Sequence, residues 1–254
     1  MSEGAKNPAG GVTGASQPAG RAGYRARIER IFDHTDDVRS LFIRTLETPL
    51  PRFVPGMFIS IAIPLADGER VRPYTIASSP EEPGPFEIVF NRVPDGVGTA
   101  WLFARATGDE LSFTGPYGAF TLAAAPDAPL VFIAESTAIA PIRPMIRRAL
   151  ATSSTRRVEL LYAAERPEHL LYLRELEALA AAHPRLHIST LVISGGSGPL
   201  YARLGDEIRG RWIDADTDRS RHFYICGVGP GVIELRDQLR GAGYERRSVH
   251  YEKW

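Results

Sequence analysis

The feature that most constrains this chain is a change of hydrophobic rhythm halfway along it. From residue 24 to about 125, apolar residues come in short alternating runs such as "YRARIERIFD", "VRSLFIRTL", "MFISIAI", "FEIVFNR" and "LSF". Clusters of Pro and Gly, "TPLPRFVPG" and "EEPGP", break them. Period-two runs with such punctuation predict short strands closing into a barrel or sandwich. A brief helix over 98–105 interrupts them. After "AAAPDAP" the texture changes. "LVFIA" leads to a helix from about Pro141, and "VELLYAA" to the helical "PEHLLYLRELEALAAA". Then come "LHISTLVI", an irregular Gly/Ser segment, "HFYIC", the helix "GVIELRDQL" and "SVHYE". Strands alternating with helices imply a parallel sheet covered on both faces. The expected architecture is a β-barrel domain over 24–125 followed by a doubly wound α/β domain over 126–254. A ligand crevice is expected between them. Residues 1–23, rich in Gly, Ala, Pro and Ser without apolar periodicity, read as a disordered arm.

Composition removes several function classes. Lys plus Arg equals Asp plus Glu, 30 each in 254 residues, so no net field draws nucleic acid. No apolar run approaches the roughly 18 residues that cross a membrane. The N-terminus lacks the pattern of a secretion signal, and the expected compartment is the cytoplasm. The one cysteine, Cys226, cannot form an internal disulfide, nor can it supply the roughly four thiolates of an iron–sulfur cluster. The six histidines show no metal-binding spacing, so no metal is expected.

Several short motifs can carry chemistry, each with an ordinary alternative. In "RPYTIASSP", Arg72 can pair with a phosphate, Tyr74 offers a flat face for a ring and Thr75 a hydroxyl beside it. The alternative is an edge strand ending at Pro80 with Arg72 solvated. In "DGVGTAWL", backbone N–H groups with Thr99 can hold a pyrophosphate, or Thr99 simply caps a helix. "GPYGAF" suits a tight turn. In "YICGVGP", Cys226 sits at a strand's carboxyl end, where α/β folds bind ligands, or is a buried small residue. The Trp254 indole is a core anchor or a lid over a ring.

The order "RPYTIASSP", "DGVGTAWL", "GPYGAF", "AESTAIAPI", "YICGVGP" and "YEKW" resembles the ferredoxin–NAD(P)+ reductase superfamily over about residues 24–254. The resemblance implies a flavin, FAD, bound by the barrel. It implies that Arg72 pairs with the flavin phosphates, with Pro73 in the same element. Tyr74 packs on the isoalloxazine, and Thr75 hydrogen-bonds near N5. Gly98 and Thr99 hold the pyrophosphate with the Val97 amide. In the α/β domain, Thr137 faces the nicotinamide, Cys226 lines the hydride-transfer position and Glu252 is a carboxylate that relays protons or orients the nicotinamide. Trp254 covers the flavin ring. Thr75, Cys226 and Glu252 are thus the catalytic candidates. The implied activity is an FAD-dependent NAD(P)H oxidoreductase serving an external partner, a ferredoxin, flavodoxin or oxygenase component, or free flavin.

The chain departs from the family pattern at the first α/β turn, usually Gly-Gly-Thr-Gly-Ile-Ala-Pro. Three of its glycine positions are Glu135, Ser136 and Ala138. Each Cβ narrows the backbone approach. Glu135 adds a negative charge where a pyrophosphate would lie, unless its carboxylate points to solvent; siderophore-interacting reductases resemble this variant with their own acidic turn. Ala163 and Glu165 stand where Gly and Arg are common. Val192 and Ile193 occupy a place where NADPH users often carry Ser and Arg, with Arg203 and Arg166 as candidate substitutes. NADH is therefore expected over NADPH. The alternative is an electron-transfer subunit whose nicotinamide binding is weak or lost.

Overall fold

The computed structural model describes residues 23–122 and 127–254; the expected arm, but for Gly23, and the expected junction at 125/126 lie outside the described residues. The first half is an antiparallel sheet of β1 (Tyr24–Asp33), β2 (Val38–Thr45), β3 (Phe58–Leu65), β4 (Gly68–Thr75), β5 (Phe86–Asn91) and β6 (Glu110–Tyr117). Its order is β4-β3-β6-β1-β2-β5. The outer strands meet, because Ile76 bridges Ile88 and the Ala77 N–H donates to the Glu87 carbonyl at 2.8 Å. The sheet therefore curls into a barrel and covers its own edges. Alternation sorts the side chains: Ile59, Ile61 and Ile63 of β3 point into a core shared with Ile28, Ile43, Ile88 and Phe113. A register shift between Ile28 and Arg30 bends β1.

The second half is a parallel sheet in the order β11-β10-β7-β8-β9, with β7 (Leu130–Glu135), β8 (Val158–Ala164), β9 (Leu186–Val192), β10 (His222–Gly227) and β11 (Val249–Lys253). Successive residues of β7 serve opposite faces. Leu130, Phe132 and Ala134 pack under α2 (Ile139–Thr152) and α3 (Leu173–Ala182), while Val131 and Ile133 pack under α4 (Ser197–Ile208) and α5 (Gly231–Gly241). This two-faced burial is why the strands read as continuous apolar runs. The order reverses between β7 and β10, creating a switch point at their carboxyl ends.

Four local expectations need correction. The barrel's helix, α1, spans Val97–Phe103 rather than 98–105. The turn after β7 is a short 3-10 segment, Ser136–Ala138, and α2 starts at Ile139; Pro141 lies in the first turn, where no intrahelical N–H bond is lost. "PEHLLYLRELEALAAA" is not one helix. A 3-10 turn at Pro167–His169 is cut off from α3 by Tyr172, whose φ is 56°. The Tyr172 hydroxyl is drawn away to Glu87 of β5 at 2.7 Å, and tertiary pairing overrides local helix preference. The Gly/Ser segment was expected to be irregular, yet it opens α4, which continues into a π-helical stretch, Arg209–Asp214.

The halves share structure. Val38, Ala77, Val89, Phe120 and Leu122 of the first half join the core beneath α2. Through this seam runs Arg143 of α2, buried to 9% exposure. It donates to Glu87 Oε2 at 2.8 Å, the Ala77 carbonyl at 3.1 Å and Glu175 of α3 at 2.8–3.1 Å, and it lies over the Tyr172 ring. Ser40 and Tyr172 both donate to the other Glu87 oxygen at 2.7 Å. Asp37, in the β1–β2 turn, binds Arg166 and His169 of the other half at 3.0–3.1 Å.

Candidate functional site

Six of the expected cofactor residues line one cavity. Arg72, Pro73 and Tyr74 come from β4, and Val97, Gly98 and Thr99 from the start of α1, around a volume of about 750 Å³. That size suits a sizeable organic ligand. Arg72 is exposed and donates only to its neighbour's carbonyl, that of Val71, at 2.9 Å; no carboxylate among the described residues pairs with it. Its charge is free for an anion. Gly98 is needed for clearance, since a Cβ there would lie 3.0 Å from both Arg72 Cγ and the Tyr74 oxygen. Tyr74 is buried edge-on to Phe90, and burial pushes its phenol up to about 12, so it stays a neutral ring. Thr99 is already committed: it donates to the Gly96 carbonyl and accepts from the Val93 N–H, both at 3.1 Å. Its hydroxyl shapes the turn and caps nothing, and what faces an anion there is the first-turn amides. A bare cation, a glycine cradle and unspent amides fit a flavin pyrophosphate.

The other expected residues lie away from that cavity. Thr75 is buried at the end of β4, opposite Phe58 in the β3 register. Thr137 is also buried, and its hydroxyl reaches Asn91 of β5 at 3.4 Å, tying the α/β turn to the barrel. Cys226 is 2% exposed at the end of β10, flanked in register by Ala134 and Glu252. Burial, then the Glu252 charge, push its thiol well up, so it is a neutral wall residue rather than a nucleophile. Burial also pushes the Glu252 carboxyl up, and Trp254 Nε1 donates to it at 3.3 Å. The Trp254 indole itself is 42% exposed and covers no core.

The switch point holds the largest surprise. Glu135 does not face solvent. It is 8% exposed, and its Oε2 accepts from the Tyr201 hydroxyl of α4 at 2.7 Å and the Val228 N–H at 3.2 Å. The same N–H reaches the Tyr201 oxygen at 3.0 Å. No cation among the described residues pairs with Glu135.

Comparison with known proteins now decides the family. An oxidoreductase FAD-binding domain model matches residues 26–122, and an oxidoreductase NAD-binding domain model matches 132–236. A ferredoxin–NADP reductase B of Sorangium cellulosum is 30% identical over 91% of this chain and 97% of its own length. The chain belongs to the ferredoxin–NAD(P)+ reductase superfamily. It is an NAD(P)H-dependent flavoprotein reductase with FAD as cofactor. The glycine betaine monooxygenase reductase subunit of Pseudomonas aeruginosa is 29% identical over 90% of the chain, which spans only 63% of that relative. A cytochrome P450 reductase from Amycolatopsis shares the fold, with TM-score 0.78 at 24% identity, covering 91% of this chain and 69% of that one.

Within this reductase, both candidate arginines for a 2′-phosphate already pair with carboxylates. Arg203 pairs with Glu207 at 2.7 Å, and Arg166 with Asp37 and Glu168. Val192, at the end of β9, is 42% exposed and offers no donor but its backbone. Reading the reductase by sequence missed Tyr201 and Val228. The signal for Tyr201 was present, since Leu200, Leu204 and Ile208 repeat at helical spacing behind the Gly/Ser start. Val228 lies within the "YICGVGP" motif, but nothing in its side chain marked its amide as a partner of Glu135. Among the described residues, no helix is long and apolar enough to cross a membrane.

Proposed function

We propose that this reductase takes reducing equivalents from NADH and passes them to a separate protein, a ferredoxin or the cluster-bearing component of an oxygenase. The observation that carries the reading is the single cavity that unites an unpaired Arg72, the Tyr74 ring and the glycine cradle of α1. Arg72 and the first-turn amides of α1 hold the flavin phosphates. Tyr74 supports the ring, with Thr75 near its reacting edge. Bound flavin supplies the conversion between two-electron and one-electron transfer. Thr137, Cys226 and Glu252 shape the nicotinamide side of the crevice, and Trp254 covers the flavin ring after moving from its exposed position. Residues 24–125 and 126–254 act as the flavin and nicotinamide domains. The paired state of Arg166 and Arg203 supports NADH over NADPH. The setting that supplies NADH and an oxidised acceptor protein is the cytoplasm.

The names of the relatives support an external acceptor, because they include a ferredoxin reductase and an oxygenase reductase. With one cysteine in the chain, acceptor clusters belong to another polypeptide or to another segment. The test is anaerobic titration of FAD-loaded protein with NADH and then NADPH. Bleaching of the flavin band by NADH at lower concentration than by NADPH is expected. A flavin band untouched by either would leave an electron-transfer subunit without nicotinamide chemistry, a reading that the buried Glu135 favours.

A further inference from the structure

Glu135 is a buried carboxylate with no counter-ion among the described residues, an arrangement that a fold rarely keeps without a use. It stands at the carboxyl end of β7, at the reversal of strand order, where open α/β sheets receive ligands. Its partners are a strand-end amide, Val228, and a tyrosine hydroxyl, both hydrogen-bond donors of the kind that hold a ligand's oxygens. The space that glycines clear at this point is taken as well. A Cβ on Gly227 would lie 1.9 Å from the Tyr201 oxygen, and one on Gly231 would lie 2.2–2.6 Å from Tyr201 ring atoms. Tyr201 therefore lies flush on the turn between β10 and α5. Ser136, next to Glu135, is held at φ 49°, a conformation that costs an L-residue energy and recurs at functional turns.

We propose that Glu135 is an internal occupant of the dinucleotide cradle, pinned by Tyr201, and that it sets how tightly the reductase holds its nicotinamide cofactor. The carboxylate takes the Val228 amide that a phosphate oxygen would take, and it repels the phosphate besides. The dinucleotide is admitted when the Glu135–Tyr201 clasp opens. Weak product retention and fast exchange follow. This deepens the reductase reading and rests on it for the identity of the ligand.

The experiment uses a ligand that carries no reducible ring. ADP-ribose is titrated calorimetrically into FAD-loaded protein for the parent, Glu135→Gln and Tyr201→Phe, with flavin content and melting temperature recorded for each. Glu135→Gln keeps the shape and an acceptor oxygen for Val228 while removing the charge. A tightening of tenfold or more is expected, with added salt no longer favouring binding because the repelling charge is gone. Tyr201→Phe unpins the carboxylate, and a smaller tightening is expected. Affinity within twofold of the parent in both variants overturns the proposal. Weaker binding in Glu135→Gln also overturns it, because the carboxylate would then be accepting a hydroxyl from the ligand. NADH bleaching is measured on the same samples. Bleaching with unaltered ADP-ribose affinity rejects the clasp and keeps the reductase reading; tightened affinity without bleaching does the reverse.

Discussion

Replacing Arg143 with Met tests whether the seam between the halves is held by charge or only by apolar packing. Arg143 and Glu87 side chains are 10% and 5% exposed, so their contact is screened little by water. Met fills much of the volume but leaves Glu87 Oε2 without its 2.8 Å donor and the Ala77 carbonyl without its 3.1 Å donor. Removing one partner of a buried pair costs about 3–5 kcal/mol. Ser40 and Tyr172 still serve the other Glu87 oxygen, which argues for the lower end, about 3 kcal/mol. That is a large share of a typical domain's 5–15 kcal/mol. Urea unfolding followed by tryptophan fluorescence gives the midpoint and slope. Adding Glu87→Gln removes the stranded charge, so the double variant should recover at least about 1 kcal/mol of the loss. A loss below about 1 kcal/mol in Arg143→Met, or no recovery in the double variant, would refute the charged seam.

Arg72→Ala should weaken FAD retention roughly 10- to 100-fold, the worth of one charge-assisted contact, read as flavin content after gel filtration. Unchanged FAD content would remove Arg72 from the site. Gly231→Ala forces a methyl into the Tyr201 ring, and a loss of about 1–3 kcal/mol is expected from chemical denaturation. Burial pushes His34, His222 and His250 below their ordinary value, so each resists protonation in the fold. The unfolded chain then binds more protons, and stability should be full above about pH 7 and fall as pH drops below about 6.5. His34→Gln should shallow that fall in melting-temperature profiles; an unchanged slope would show that His34 takes no part.

The fold was legible wherever one rhythm dominated. Period-two alternation marked β1 to β3, and apolar runs marked β7, β8 and β10, because burial on one face or two writes itself into successive residues. Residues that the fold gathers around one cavity were legible where residue type and order coincide, as in Arg72-Pro73-Tyr74 and Val97-Gly98-Thr99. What escaped detection depended on partners distant along the chain. Tyr172 breaks a helical run because Glu87, 85 positions away, takes its hydroxyl. The inward turn of Glu135 depends on Tyr201, 66 positions on, and on an amide at 228 that no residue type advertises. Thr99 read as a ligand or a cap, but its hydroxyl was claimed by the turn, a choice between short-range acceptors that composition cannot resolve.

Two packed units joined by a modest polar interface normally move against each other. Here the apolar core beneath α2 draws residues from both halves, Arg143 crosses it, Asp37 binds Arg166 and His169, and Thr137 touches Asn91. A hinge opening would expose that shared apolar core and strand buried charge at once, so the contacts across the seam oppose such a motion. On the proposal above, control of nicotinamide entry then falls to side chains at the switch point. Of those, Glu135 and Tyr201 meet at the switch point through a 2.7 Å hydrogen bond, and because the Tyr201 ring is packed in the core beneath α4 and α5, the Glu135 carboxylate is the part that would turn.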